Sequence, residues 1–172
     1  MTNIPIITLW QPWASLVAFR LKRYETRSWS TSYLGKIFIH AAARKVDKGA
    51  LLELVRQDVD IPEGFEIRLG CVIACADLVA VKLMVSDAEY ELALPVYRDG
   101  MIRISDQTKQ ELATGYWKPG RFAWQLNNVQ RIDPPIFIKG HQKLWHSEYV
   151  NDKYQEGLIS RTHLRNFKSV VC

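Results

Sequence analysis

Apolar and polar residues alternate along this chain with two periods, and each change of period marks an element. IPIITL, from Ile4 to Leu9, is a short apolar run that predicts a first strand. In QPWASLVAFRL the apolar residues Trp13, Leu16, Val17 and Leu21 share one helical stripe, and Pro12 suits the first turn, so a helix is expected to end near Leu21. YETRSW, from Tyr24 to Trp29, returns to a period of two. As a strand it puts Glu25, Arg27 and Trp29 on one face and Tyr24, Thr26 and Ser28 on the other. GKIFIHAAA, from Gly35 to Ala43, predicts a buried strand with His40 near its end. Asp47 to Gln57 predicts a helix whose apolar side is Leu51, Leu52 and Val55, and IPEGFEIRLG is a loop.

The second half carries more strand than helix. Gly70 to Met84 is rich in Val and Ala and is long enough for one bent strand or two shorter ones. Ser86 followed by Glu89 has the form of a capping box that opens a short helix. LPVYRDGM is a turn region. Ser105 to Thr114 is a further helix, with Gly115 as its stop. Arg121 to Ile132 predicts a strand, PPIFIKG an edge strand, and GHQKLWHSEY a turn leading to a short helix. The polar tail from Val150 to Cys172 is read as a helix against the body or a loose arm. Strands outnumber helices and the βαβ alternation of a doubly wound sheet is missing. The predicted fold is therefore α+β: a small, partly open β-barrel with short helices at its rim.

Composition narrows the function. The 172 residues favour one domain, and 48% hydrophobic with 24% charged residues is ordinary for a soluble globular chain. The net charge of +5 is a mild basic bias that suits a polyanionic partner. Six tryptophans supply stacking surface as well as core. Three cysteines, Cys71, Cys75 and Cys172, imply no disulfide framework, so a reducing, cytoplasmic setting is expected. The four histidines are scattered without tetrahedral spacing, and no metal or other cofactor is predicted. MTNIPIITLW lacks the pattern of a secretory leader. CVIACADLVAV is interrupted by Asp77 and too short for a bilayer, so no membrane partner is predicted.

The chemistry concentrates in RLKRYETR, from Arg20 to Arg27. Lys22 projects from the end of the first predicted helix, and Glu25 and Arg27 follow on one strand face. Their heads are expected to converge in the notch between the two elements. A carboxylate flanked by two cations is a fixed acceptor for an amide or amino edge, while Lys22 and Arg27 suit a phosphate, a carbonyl or an oxyanion. A solvated surface network worth less than ~1 kcal/mol is the plain alternative. Around the notch, Trp10 is the candidate cleft wall and Gln11 a candidate base-edge reader. Tyr116 and Trp117 in GYWKPGR are candidate closing aromatics, with Lys118 and Arg121 as a basic rim for phosphates. His40 stays in the candidate set, although a core place on the face of Phe38 is the preferred reading.

RLKRYETR also resembles the G-x-K-x-x-E-x-R signature of the ASCH domain, the activating signal cointegrator homology domain. It matches at Lys22, Glu25 and Arg27 and departs at Arg20, where the family has glycine. LWQPWASLV, YLGKIFIHAAA, GRFAWQLNN and IKGHQKLW resemble further family segments, and together the matches run from about Ile6 to Trp145. The resemblance implies an ASCH domain over 1–149 with a C-terminal polar extension over 150–172. It implies a PUA-like β-barrel whose cleft lies under the first helix. It also implies RNA, single-stranded nucleic acid or a modified nucleoside as partner. Some family members deacetylate N-acetylated cytidine and others are described as ribonucleases, so a metal-independent amidohydrolase and a ribonuclease are the enzymatic alternatives, and a protein-interaction adaptor is a third. In the deacetylating members a threonine stands where this chain has Glu25, and a later glutamate takes part, for which Glu89 or Glu91 are the candidates. As an enzyme, Lys22 and Glu25 are the expected catalytic pair. Arg20 in place of glycine is expected to narrow the cleft or add a cation to its mouth.

Overall fold

The structure is a computed structural model that describes residues 3–157. Seven strands alternate with helices: β1 (Ile6–Leu9), α1 (Trp13–Ala18), β2 (Tyr24–Arg27), β3 (Gly35–Ala41), α2 (Lys48–Arg56) and β4 (Cys71–Val85) fill the first half. They are followed by α3 (Asp87–Leu92), α4 (Pro95–Arg98), β5 (Met101–Arg103), α5 (Lys109–Thr114), β6 (Phe122–Phe137) and β7 (Leu144–Trp145). A last helix, α6, covers residues 148–157. The strands form one mixed sheet in the order β2-β6-β4-β3-β1-β7, with β5 paired to β4. Among the described residues no ladder joins β2 to β7, so the sheet is an open path where a β-barrel was expected. The two edge strands have four and two residues, too little ladder to close a ring.

The period of two seen in the sequence divides the core. Ile7 and Leu9 of β1 and Ile37, Ile39 and Ala41 of β3 face α1 and pack on its Ala14, Val17 and Ala18. Ile6 and Phe38 face the other way, onto Trp145, Val150 and Tyr154. Each such fully buried aliphatic or aromatic side chain contributes roughly 1.5–3 kcal/mol. The predicted tail helix is thus partly observed: α6 seats Val150 and Tyr154 on the second face, while residues 158–172 lie outside the described part.

Two segments differ from expectation. LPVYRDGM holds the helix α4 and the start of β5, with Pro95 at the first helical position. The two strands expected around Pro134 are one, β6. Its register against β4 jumps from Arg131 opposite Ala74 to Ile136 opposite Val72. Pro134 and Pro135 sit in that bulge, where the ladder asks no N–H of them.

Helix α1 is shorter than its apolar stripe. Leu21 N donates to Leu16 O (2.8 Å) and Arg20 N to Val17 O (2.9 Å), with Arg20 at φ 62°. This is a Schellman ending with arginine in the left-handed position usually given to glycine, at a cost of about 1 kcal/mol. The Arg20 guanidinium then donates twice to Val129 O (3.2 and 3.0 Å). Arg20 therefore neither narrows the cleft nor adds a cation to its mouth; its side chain turns to β6. The tight ending throws Lys22 inward and starts β2.

Candidate ligand-binding cleft

A cavity of about 730 Å³ opens between four segments that meet beside the start of α1. β1 and the start of α1 give Thr8, Leu9, Trp10 and Trp13. β2 gives Glu25, Thr26 and Arg27. The first turns of α2 give Asp47, Ala50 and Glu53, and the α5–β6 connection gives Gly115, Tyr116 and Arg121.

The predicted trio does converge. Glu25 Oε1 lies 3.1 Å from Arg27 Nε, and Glu25 Oε2 lies 3.7 Å from Lys22 Nζ. The three heads are not equivalent. Lys22 is only 1% exposed and sits behind the cleft wall, where its ammonium donates to Thr114 O (2.7 Å). Burial pulls its pKa below the ordinary lysine value, against the opposing pull of Glu25 and Glu111. Gly115 lets this amine approach the cleft: a Cβ built there would stand 3.2 Å from Nζ and 2.7 Å from Trp117 Nε1. Arg27 donates through Nη2 to Thr8 O (2.9 Å). Its buried Nε is close to Glu25 but not aimed at it, and makes no hydrogen bond among the described residues.

Trp10 and Tyr116 reach the cleft as expected, both well exposed, and Tyr116 N is fixed by Thr26 Oγ1 (2.9 Å). Arg121 lines the same wall. Four candidates do not arrive. Gln11 is buried: its amide donates to Ser15 Oγ and Arg68 O and accepts from Ser15 N, so it clamps α1 to the loop before β4. Trp117 donates to Glu111 O (2.7 Å) and sets its ring edge-on to Tyr24. Lys118 is exposed on the turn but does not line the cavity. His40 is fully buried, bonded through Nε2 to Ile138 O (3.0 Å) and roofed by Gly140, where a Cβ would overlap its ring. It is a core histidine, as the face shared with Phe38 suggested.

Neither candidate for a glutamate from a later segment lies beside Lys22. Glu89 closes the capping box of α3 with Ser86, and Glu91 pairs with Arg103, both on exposed ground. The carboxylate near Lys22 is Glu111 of α5, 5% exposed, which accepts from Arg23 N (2.7 Å). Burial raises its pKa, and Lys22 and the backbone donors pull the other way. Its spacing within α5 gave a signal only through the helix: Thr108 three residues earlier caps it. Asp47 was legible only as the first residue of the predicted helix; in the structure it caps α2 by accepting from Ala50 N (3.1 Å).

Comparison with known proteins identifies the family. The family model of the ASCH domain matches residues 7–136. Activating signal cointegrator 1 of Homo sapiens is 35% identical over 146 residues, which are 81% of this chain and 21% of that protein. The protein of the same name from Mus musculus is 26% identical over the same shares. The chain thus spans about a fifth of the length of these curated relatives. Among solved structures, ASCH from Zymomonas mobilis covers 92% of this chain and 94% of its own at 16% identity and a TM-score of 0.47. A tyrosine-to-phenylalanine variant of that protein gives 18% identity, 92% and 98% coverage and a TM-score of 0.46. This chain belongs to the ASCH domain family. No helix of the described residues is long and apolar enough to cross a membrane.

Proposed function

We propose that the chain binds RNA, or another ligand built on a nucleoside, in the cleft in front of Glu25 and Arg27. The observation that carries the reading is the Glu25–Arg27 ion pair on the wall of an open cavity flanked by two exposed aromatics. The Arg27 side chain keeps 25% and that of Glu25 11% of its surface open. A carbonyl or ring nitrogen of a base meets the accessible part of the guanidinium, its exocyclic amino group donates to Glu25, and Trp10 or Tyr116 takes its face. Lys22 supports Glu25 from behind and does not itself meet a phosphate, in contrast to the expectation from spacing. The test is titration with short mixed RNAs, for wild type and Glu25→Gln. Saturable binding that weakens at least about tenfold in the variant supports the reading; no binding by the wild type refutes it.

A second reading, a metal-independent amidohydrolase of N-acetylated cytidine-type nucleosides, is favoured by the Lys22 amine, held 3.7 Å from Glu25 and separated from the cavity by Gly115, with burial pulling its pKa down toward that of a base. It predicts release of cytidine from N-acetylcytidine and loss of turnover in Lys22→Met; no cytidine at high protein concentration removes it. The ribonuclease alternative loses its general base, because His40 is sealed in the core.

A further inference from the structure

The two aromatic lips of the cleft are built alike. The Arg44 guanidinium stands 3.9 Å from the Trp10 ring centroid, and that of Arg121 stands 4.7 Å from the Tyr116 centroid. Trp10 is 53% and Tyr116 61% exposed, so neither ring needs a cover for the sake of the core. Arg121 donates to the carbonyls of Tyr116 (3.2 Å) and Thr26 (3.3 Å), two engagements for a group with five N–H donors. Arg44 has no hydrogen bond or ion pair among the described residues; its ring contact alone holds it.

Inside the cavity the charge pattern reverses. Glu25, Asp47 and Glu53 all line it, and the Asp47 carboxylate already occupies the N-terminus of α2. Lys22 and Arg27 are turned to Glu25 and to backbone carbonyls. A phosphate pushed deep would meet three carboxylates. At the lips it would meet a guanidinium, with Lys45 and Lys48 exposed beside Arg44 and Lys118 exposed beside Arg121.

We infer that the ligand is a nucleotide unit of a single strand, its base inside the cleft and its flanking phosphates at the lips on Arg44 and Arg121, rather than a free nucleoside. The inference rests on the nucleotide reading of the cleft and adds to it the phosphates and the residues that take them. A guanidinium held over an indole or phenol ring still offers N–H donors that match phosphate oxygens: all five at Arg44, and at Arg121 those beyond the two given to carbonyls. Stacking also fixes the long side chain before the ligand arrives, which lowers the ordering cost of binding. A base enters such a cavity only when unpaired, which selects single strands.

The experiment follows tryptophan fluorescence during titration with cytidine, cytidine 5′-monophosphate and a short oligocytidylate at several salt concentrations. Affinity is expected to rise in that order, by at least about tenfold from nucleoside to strand. The strand should show a log–log salt slope of roughly 1.4, about 0.7 for each of two phosphate contacts. Arg44→Gln and Arg121→Gln should each remove about 0.7 of that slope and shrink the strand-to-nucleoside ratio. Arg44→Lys, which keeps charge without the planar edge, should retain the slope and lose affinity. Nucleoside bound as tightly as strand, with no salt response, overturns the inference and leaves the cleft reading standing. Unchanged slopes in both glutamine variants overturn it too, because the phosphates then lie elsewhere. Binding of none of the three probes overturns both the inference and the reading beneath it.

Discussion

Lys22 and His40 are both titratable and almost completely buried, yet their surroundings differ in kind. Lys22 has two carboxylates nearby, a carbonyl at hydrogen-bond distance and an open cavity one glycine away. His40 has one carbonyl, the edge of Trp145 and the Gly140 backbone, with Nδ1 left without a partner. Burial of a polar group is therefore a poor guide to function by itself. What separates the two places is convergence of opposite charges next to space for a ligand.

The largest expected effect comes from removing the Lys22 charge while keeping its volume. Lys22→Met leaves the buried Thr114 carbonyl without its donor and takes one of two cations from Glu25, and breaking such a buried set costs about 3–5 kcal/mol. Denaturant unfolding measures it. A loss below about 1 kcal/mol would mean that water reaches the site and the ion pair is only a surface network.

Two alanine substitutions sharpen the contrast further. A Cβ at Gly140 overlaps the His40 ring and stands 2.7 Å from Nδ1; one at Gly115 stands 2.7 Å from Trp117 Nε1 and 3.0 Å from Thr26 Cγ2. Each should lower stability by about 1–3 kcal/mol. Only Gly115→Ala should also weaken RNA binding, so equal binding losses in the two variants would erase the distinction between site and core.

The pH dependence separates the two groups by window. Both pKa values are lowered by burial, so in both windows the unfolded chain binds more protons than the folded one, and stability rises with pH. For Lys22 the window lies between its lowered folded value and the model 10.5; for His40 it lies between its lowered value and 6.5. Lys22→Met should abolish the alkaline rise and leave the acid one, as read from unfolding midpoints across pH. Loss of the acid rise in that variant would assign it to the wrong residue.

The smallest effect is expected at Arg20. Arg20→Gly relieves a positive φ but deletes both bonds to Val129 O, and the two changes offset to within about 1 kcal/mol. Binding should not change, because the side chain lies outside the cleft. A clear binding loss would return Arg20 to the site.

These contrasts also explain what the sequence could tell. The strand around YETR was legible because its period of two puts Glu25 and Arg27 together, and the capping box at Ser86 because its bonds are local. β6 was read as two strands because a proline pair normally stops a ladder, and only the register against β4 reveals the bulge that admits it. The cleft was half legible. Trp10, Glu25, Arg27, Tyr116 and Arg121 line it and Lys22 backs it, while Gln11 turned to Arg68 O, far along the chain, and Trp117 to Glu111 O, partners that no spacing announces. Asp47, Glu53 and Glu111 come from helices that tertiary packing brings to α1, and their sequence positions showed only membership of a predicted helix.

The most direct test of the central claim is to map a short single-stranded RNA onto the backbone amide and indole signals of the isotopically labelled chain. The account predicts saturable shifts at Trp10, Thr26, Arg27, Gly115 and Tyr116, with His40, Gly140 and Trp145 unmoved. Shifts gathered around His40 and Trp145, or none at all at saturating RNA, would contradict it.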